Sequence, residues 1–351
     1  MSSTESASTG SKFHWGRILA FGVIAVICAL SCVMWAKGSF EKHDKIAVLA
    51  GSQRPYWDPI EKGANDAAKD FGFDLQFVRS EPDEASENKH MQELLDSGIV
   101  GLVISPDNAE TQKDPINQAA GKVVLVTLDS DAPDSNRRGH VGTDNYEAGQ
   151  AVGEQVRNAI PDGGQVMVYA SSIDETNIRD RRQGLIDNLL DRPFSQQPTY
   201  DADNAKLVGS KYQIVATVTD GGTANQSAVQ DAIKANPDAK CIVGLNSYTG
   251  DVAVKAVEAS SKKGQIQIIG FDESPEEQAD VASGAIFSSV VQNQYLCGYD
   301  SVRMLADILR GVGQNIPARD RLVELPVMVM KPNNIESMRA EGAIRSPTTQ
   351  K

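Results

Sequence analysis

From Lys45 onward, short β-branched apolar runs alternate with segments whose apolar residues recur every three or four positions. IAVLA (46–50), LQFV (75–78), GLVIS (101–105) and KVVLVTL (122–128) are the runs, and Ala64, Ala67, Ala68 and Phe71 show the helical spacing between them. This predicts repeated βαβ units. Strands that are apolar throughout suit a parallel sheet covered by helices on both faces. After HVGTDN (140–145) a second series begins, with QVMVYA (165–170), YQIVATV (212–218), CIVGL (241–245), IQIIGF (266–271) and AIFSSVV (285–291). The pattern therefore predicts two similar α/β halves. Residues 192–211 read as a long polar connection between a helix and the next strand.

The first 44 residues show another pattern. Lys12, His14 and Arg17 precede an apolar run from Ile18 to Ala36, close to the ~20 residues that span a bilayer as a helix. Basic residues ahead of such a run place the rest of the chain outside the cytoplasm, so the body is expected to be exported. Ala29-Leu30-Ser31-Cys32 is a degraded form of the small-residue-then-Cys site at which bacterial lipoproteins are cut and lipidated. Two readings stand, an uncleaved helical anchor over 18–36 or lipid on Cys32, and both tether the body to a membrane. A signal-peptidase site of another kind would release it.

Composition narrows the function. At 351 residues the chain is expected to hold two domains and a remainder. Lys and Arg total 34 against 47 Asp and Glu, a net charge of −13, which opposes nucleic-acid binding. The four His occur without HExxH, and no CxxC, GxSxG or P-loop pattern is present, so neither a metal, nor another cofactor, nor an enzyme is signalled. His90 reads as a solvated helix residue, and Cys241 and Cys297 as buried free thiols.

Open parallel α/β sheets bind ligands at the carboxyl ends of their strands. Arg54, Tyr56, Trp57, Ser105 and Asp129 stand there in the first half, and Asp220, Asn246, Asp272 and Gln292 in the second, while Arg181 lies in the helix after QVMVYA. Asp129 or Asp220 alone would equally read as a helix cap, and Trp57 as a hydrophobic cap over its own helix start. A helix cap calls for neither Arg54 nor Trp57, so the set is more specific than its members. A flat aromatic covers the C–H face of a sugar while Asp, Asn, Gln and Arg meet its hydroxyl rim. DSDAPD (129–134) reads as a solvated turn rather than a cation loop.

Residues 45 to 330 resemble the type I periplasmic substrate-binding proteins of ABC transporters, in their ribose-binding-like, sugar-binding branch. The resemblance lies in the order KIAVLAGSQRPYWDPIEKGANDAAKDFGFDL, VISPDNAE, VTLDSD, HVGTDNYEAGQAVGE, IRDRRQGL, LNSYTGDVAVKAVEAS, IIGFDESPE and VVQNQYLCGYDSVRML. It implies an aromatic sandwich at Tyr56 and Trp57, polar contacts from Arg54, Ser105, Asp129, Arg181, Asn246, Asp272 and Gln292, and a further near-site hydroxyl at Thr143. Asp220 takes a place where ribose binders carry an aromatic. Arg54 and Ser105 replace asparagines and Ser130 an arginine, which leaves the ligand open among small sugars, related polyols, sugar acids and zwitterions.

The resemblance also implies two Rossmann-like lobes joined by three crossings near 142–144, 292–294 and 320–323. The first lobe is then expected at 45–142 plus 293–322, the second at 143–292 plus 323–335, and a loose tail at 336–351. The function implied is capture of a small sugar or polyol by a monomer that closes on it and delivers it to an ABC permease. A membrane-tethered sensing protein that feeds a chemoreceptor or histidine kinase is the other reading. The lactose-repressor family shares this core, but its DNA-binding headpiece is here replaced by the apolar run at 18–36.

Overall fold

The computed structural model describes residues 43–51, 55–81, 83–173, 175–195, 200, 210–313, 315–318, 321–340 and 344. The apolar run at 18–36, Cys32, Arg54 and residues 196–199 and 201–209 lie outside the described residues. Among the described residues, all the helices and strands belong to the unit that begins at Asp44.

The first series runs β1 (Lys45–Ala50), α1 (Trp57–Phe71), β2 (Asp74–Arg79), α2 (Glu84–Asp96), β3 (Gly101–Ile104), α3 (Lys113–Ala120), β4 (Val124–Leu128), β5 (His140–Thr143). The second runs α4 (Asn145–Ala159), β6 (Gly164–Ala170), α5 (Thr176–Leu189), β7 (Tyr212–Thr219), α6 (Gln226–Ala235), β8 (Ala239–Gly244), α7 (Thr249–Ala259), β9 (Gln267–Phe271), α8 (Pro275–Ser283), β10 (Ser288–Val291). The chain then returns through α9 (Gln294–Leu309), β11 (Leu322–Leu325), β12 (Met328–Met330) and α10 (Ile335–Ala340).

Two sheets form, in the orders β11-β5-β4-β3-β1-β2 and β12-β10-β9-β8-β6-β7. Their neighbours are parallel except β12, which runs antiparallel to β10. The two orders are the same pattern written twice, as the repeated hydrophobic series predicts, and this is the type I periplasmic binding protein fold.

Each central strand is apolar throughout because it serves two cores. Ile46, Val48 and Ala50 of β1 pack with Trp57, Ile60 and Leu305 on one face, while Ala47 and Leu49 pack with Leu102, Ile104 and Ile116 on the other. In the second sheet, Val166, Val168 and Ala170 of β6 face Leu185 and Phe271, and Met167 and Tyr169 face Val257 and Ile268. Burying one such aliphatic side chain contributes roughly 1.5–3 kcal/mol, so neither face is dispensable.

Glycine permits the closest helix contacts. A Cβ on Gly63 of α1 would stand 2.0 Å from the Tyr295 carbonyl oxygen of α9, and one on Gly298 of α9 would stand 2.0 Å from that of Ile60. Gly149 and Gly184 do the same for α4 against α5, at 2.0 and 2.1 Å. Thus α9, after the second series in sequence, packs with α1 on the first sheet, and the chain crosses between lobes near Gln292.

Two boundaries differ from expectation. Leu322–Leu325 pairs with His140–Thr143 in the first sheet, so the third crossing falls after Leu325 rather than between 322 and 323. The segment expected as a loose tail from 336 is tied down in part, because Met338 and Ile344 are buried in the second lobe's core. Cys241 and Cys297 are free and buried.

Candidate ligand-binding site

In the first lobe, β1 leads to a turn at Pro55 and Tyr56 before α1. Tyr56 is half-buried, whereas Trp57 is 7% exposed and belongs to the core. The two rings meet edge to face, their centroids 5.1 Å apart and their planes at 88°. The open aromatic face expected of Trp57 is therefore turned inward, where it packs against Gly51. Asp129 follows β4 with a φ of 59°, left-handed for a residue with a side chain. Its backbone N–H is held by the Val141 carbonyl at 2.9 Å, and its Oδ1 accepts the Tyr56 hydroxyl at 2.6 Å. Burial, then the Asp129 charge, push the Tyr56 phenol well above its ordinary pKa, so it stays protonated and donates.

In the second lobe, Arg181 of α5 is buried and spends its guanidinium on three acceptors. Nε donates to Asn145 Oδ1 at 2.8 Å, Nη1 to the Leu245 carbonyl at 2.9 Å and Nη2 to Gln292 Oε1 at 3.0 Å. The guanidinium carbon lies 4.1 Å from the Phe271 ring centre, so the cation is also stacked. Asp272, next after β9, has a φ of 72° and is 2% exposed. Its Oδ1 accepts Gln292 Nε2 at 2.9 Å and Gln294 Nε2 at 3.5 Å. Burial raises its pKa to about 6, against the pull of Arg181 and the Gln292 hydrogen bond.

Gln292 also donates to the Tyr56 hydroxyl at 3.5 Å. Asp129, Tyr56, Gln292, Asp272 and Arg181 thus form one connected polar chain from the first lobe to the second. Two of its members hold strained left-handed backbone, a cost that surrounding structure must offset and that clusters at functional positions.

The other expected residues lie at or just after strand ends, without joining that chain. Ser105 is buried after β3, its N–H bonded to the Leu49 carbonyl at 3.1 Å. Thr143 ends β5 half-buried beside Leu325. Asn246 accepts from the Ser171 N–H at 3.0 Å. Asp220 accepts from the hydroxyls of Tyr169 at 2.5 Å and Tyr248 at 2.9 Å, and from the N–H groups of Gly222 and Asn225. Four donors leave its carboxylate little capacity for a ligand.

Asn145, Gln294, Tyr169 and Tyr248 were not singled out from sequence. The first two lie inside the HVGTDN and VVQNQ stretches, within two residues of an expected site residue. The two tyrosines carry no local signal. Among the described residues, no group of three or more His, Cys, Asp or Glu is placed to hold a metal ion. The site offers carboxylate acceptors, amide groups and a buried cation around an uncharged phenol.

The family model for the periplasmic binding protein domain matches residues 46–313. The ribose import binding protein of Haemophilus influenzae is 25% identical over 289 residues, which cover 82% of this chain and 93% of the relative. Among solved structures, a glucose-galactose binding protein from Geobacillus stearothermophilus is 25% identical with a TM-score of 0.72, over 84% of this chain and 99% of its own. An ABC transporter solute binding protein from Burkholderia graminis, in complex with D-arabinose, is 22% identical with a TM-score of 0.72, over 84% and 97%.

Proposed function

Because the chain belongs to the periplasmic binding protein domain family, a family of binding proteins and not enzymes, we propose that it captures a small sugar or related polyol between its lobes and delivers it to an ABC permease. The observation that carries this reading is the polar chain from Asp129 through Tyr56 and Gln292 to Asp272 and Arg181. Its acceptors and donors come from both lobes, so a hydroxyl-bearing ligand that touches both stabilises the closed arrangement by its differential affinity. The sugar relatives in sequence support the same ligand class.

Asp129 and Asp272 accept from ligand hydroxyls in this reading, and Arg181 and Gln292 donate to hydroxyl or ring oxygens. Ser105, Thr143 and Asn246 line the strand ends around them, and Arg54 adds a donor at the turn before Tyr56. Trp57 supports Tyr56 from the core, and Asp220 fixes Tyr248. A few hydrogen bonds to charged groups, at ~1.5–3 kcal/mol each, suffice for micromolar affinity. The body works as a monomer outside the cytoplasm, tethered through residues 18–36 or lipid on Cys32.

A thermal-shift screen of the protein against pentoses, hexoses, sugar acids, polyols and amino acids, with calorimetry on any hit, tests the proposal. A saturable rise with one sugar supports it. A shift only with amino acids or other non-sugar solutes contradicts it.

A further inference from the structure

We propose that Tyr56 supplies from the protein itself one of the hydroxyl groups that Asp129 would otherwise take from a sugar, so that the site selects a deoxy sugar over its fully hydroxylated parent. This rests on the sugar-binding reading above.

The Tyr56 hydroxyl donates to Asp129 Oδ1 at 2.6 Å and accepts from Gln292 Nε2 at 3.5 Å. A hydroxyl that donates to a carboxylate and accepts from an amide is the hydrogen-bonding group that a sugar would bring to the same place. A pair of neighbouring sugar hydroxyls addresses both oxygens of one carboxylate. The phenol oxygen sits 2.6 Å from Oδ1, so a hydroxyl pair that addresses both oxygens must crowd it there, while a single hydroxyl reaches Oδ2 without doing so.

The phenol is held in place from several sides. Pro55 fixes the backbone ahead of it. The ring meets Trp57 edge to face, and Trp57 is anchored in the core. Gln292 is itself fixed by Arg181 and Asp272. A ligand hydroxyl at Oδ1 would have to share that oxygen with the phenol and crowd a ring that cannot shift without weakening its contacts with Asp129, Gln292 and Trp57. A C–H or methyl group at that point instead rests against the aromatic ring at no such cost.

Calorimetry on the full-length protein and on Tyr56→Phe tests this with matched pairs: D-ribose and 2-deoxy-D-ribose, D-glucose and 2-deoxy-D-glucose, L-galactose and L-fucose. In the wild type, at least one deoxy member is expected to bind more tightly than its parent. Tyr56→Phe frees Oδ1 and is expected to shift that ratio toward the parent by about tenfold, the factor one hydrogen bond to a charged group supplies. If in every pair that binds the wild type holds the parent at least as tightly as the deoxy sugar, this inference falls while the sugar-binding reading stands. If no sugar binds either protein while both melt cooperatively, the sugar-binding reading falls and takes the inference with it. Should Tyr56→Phe fail to fold, the wild-type ratios alone decide the matter.

Discussion

Arg181 donates through Nη2 to Oε1 of Gln292 at 3.0 Å, and this bond joins α5 of the second lobe to the segment where the chain crosses back to the first. Gln292 relays the contact to Asp272 and Tyr56, so the guanidinium orders the centre of the site without touching the first lobe. Lysine cannot make three such bonds in fixed directions or stack in the same way. Arg181→Lys is therefore expected to weaken ligand binding by at least tenfold in calorimetry. Arg181→Ala additionally leaves the Asn145, Leu245 and Gln292 acceptors unpaired, and thermal unfolding should show a loss of ~2–4 kcal/mol.

Asp272 predicts a pH dependence with two opposite signs. Its pKa of about 6 in the folded protein, raised by burial, exceeds the ~3.9 of an unfolded chain. The native state therefore binds a proton that the unfolded state releases, so this group's contribution is full below pH ~4 and is lost as pH rises toward 6, by about 3 kcal/mol. Asp251, also raised to about 6, and Glu87, raised to about 7, act in the same direction through burial. The melting temperature should fall between pH 4.5 and 7, and Asp272→Asn should flatten part of that slope. Ligand affinity should instead rise with pH through 6, because the ionised carboxylate accepts the ligand's hydroxyl.

The Asp220 carboxylate predicts a structural effect. Burial alone would raise its pKa, but the Tyr169 hydroxyl and its other donors hold it below the ordinary value. Stability from this group is present above pH ~4 and is lost as pH falls further. Asp220→Ala leaves two tyrosine hydroxyls and two backbone N–H groups to find new partners, and should cost ~1–3 kcal/mol in denaturant unfolding. Acid unfolding of this variant should lose part of its pH dependence below 4.

Gly63→Ala places a methyl group 2.0 Å from the Tyr295 carbonyl oxygen. The backbone of α1 or α9 must move, so a destabilisation of roughly 1–3 kcal/mol or more is expected, read as a drop in melting temperature. The reverse substitution next to it, Ala64→Gly, creates no such clash and should cost ~1–2 kcal/mol, from lost helix propensity and one buried methyl group.

The repeated series was legible because a strand buried on both faces shows as an unbroken apolar run, and β1, β3, β6 and β8 are such strands. β11 was harder. LVEL is an edge strand with Leu322 exposed and only Leu325 buried, so its start looked like a crossing. The short α10 carries only Ile335 and Met338 as buried residues and reads as polar tail.

Site legibility failed for a different reason. Tyr56 and Trp57 are adjacent at a helix start, where successive side chains point ~100° apart, so only one can face the cleft while the other turns to the core. Sequence shows the pair but not which member turns. Asp220 is engaged by tyrosines 51 and 28 residues away, and no local pattern separates such a carboxylate from one kept for a ligand.

The most direct measurement is calorimetric titration of the protein, and of Asp129→Ala and Arg181→Ala, with the sugar that raises the melting temperature most. The account predicts saturable binding of one sugar per chain and at least tenfold weaker affinity in each variant, with both still folding cooperatively. Unchanged affinity in both variants would contradict it, because the ligand would then lie outside the site that joins the two lobes.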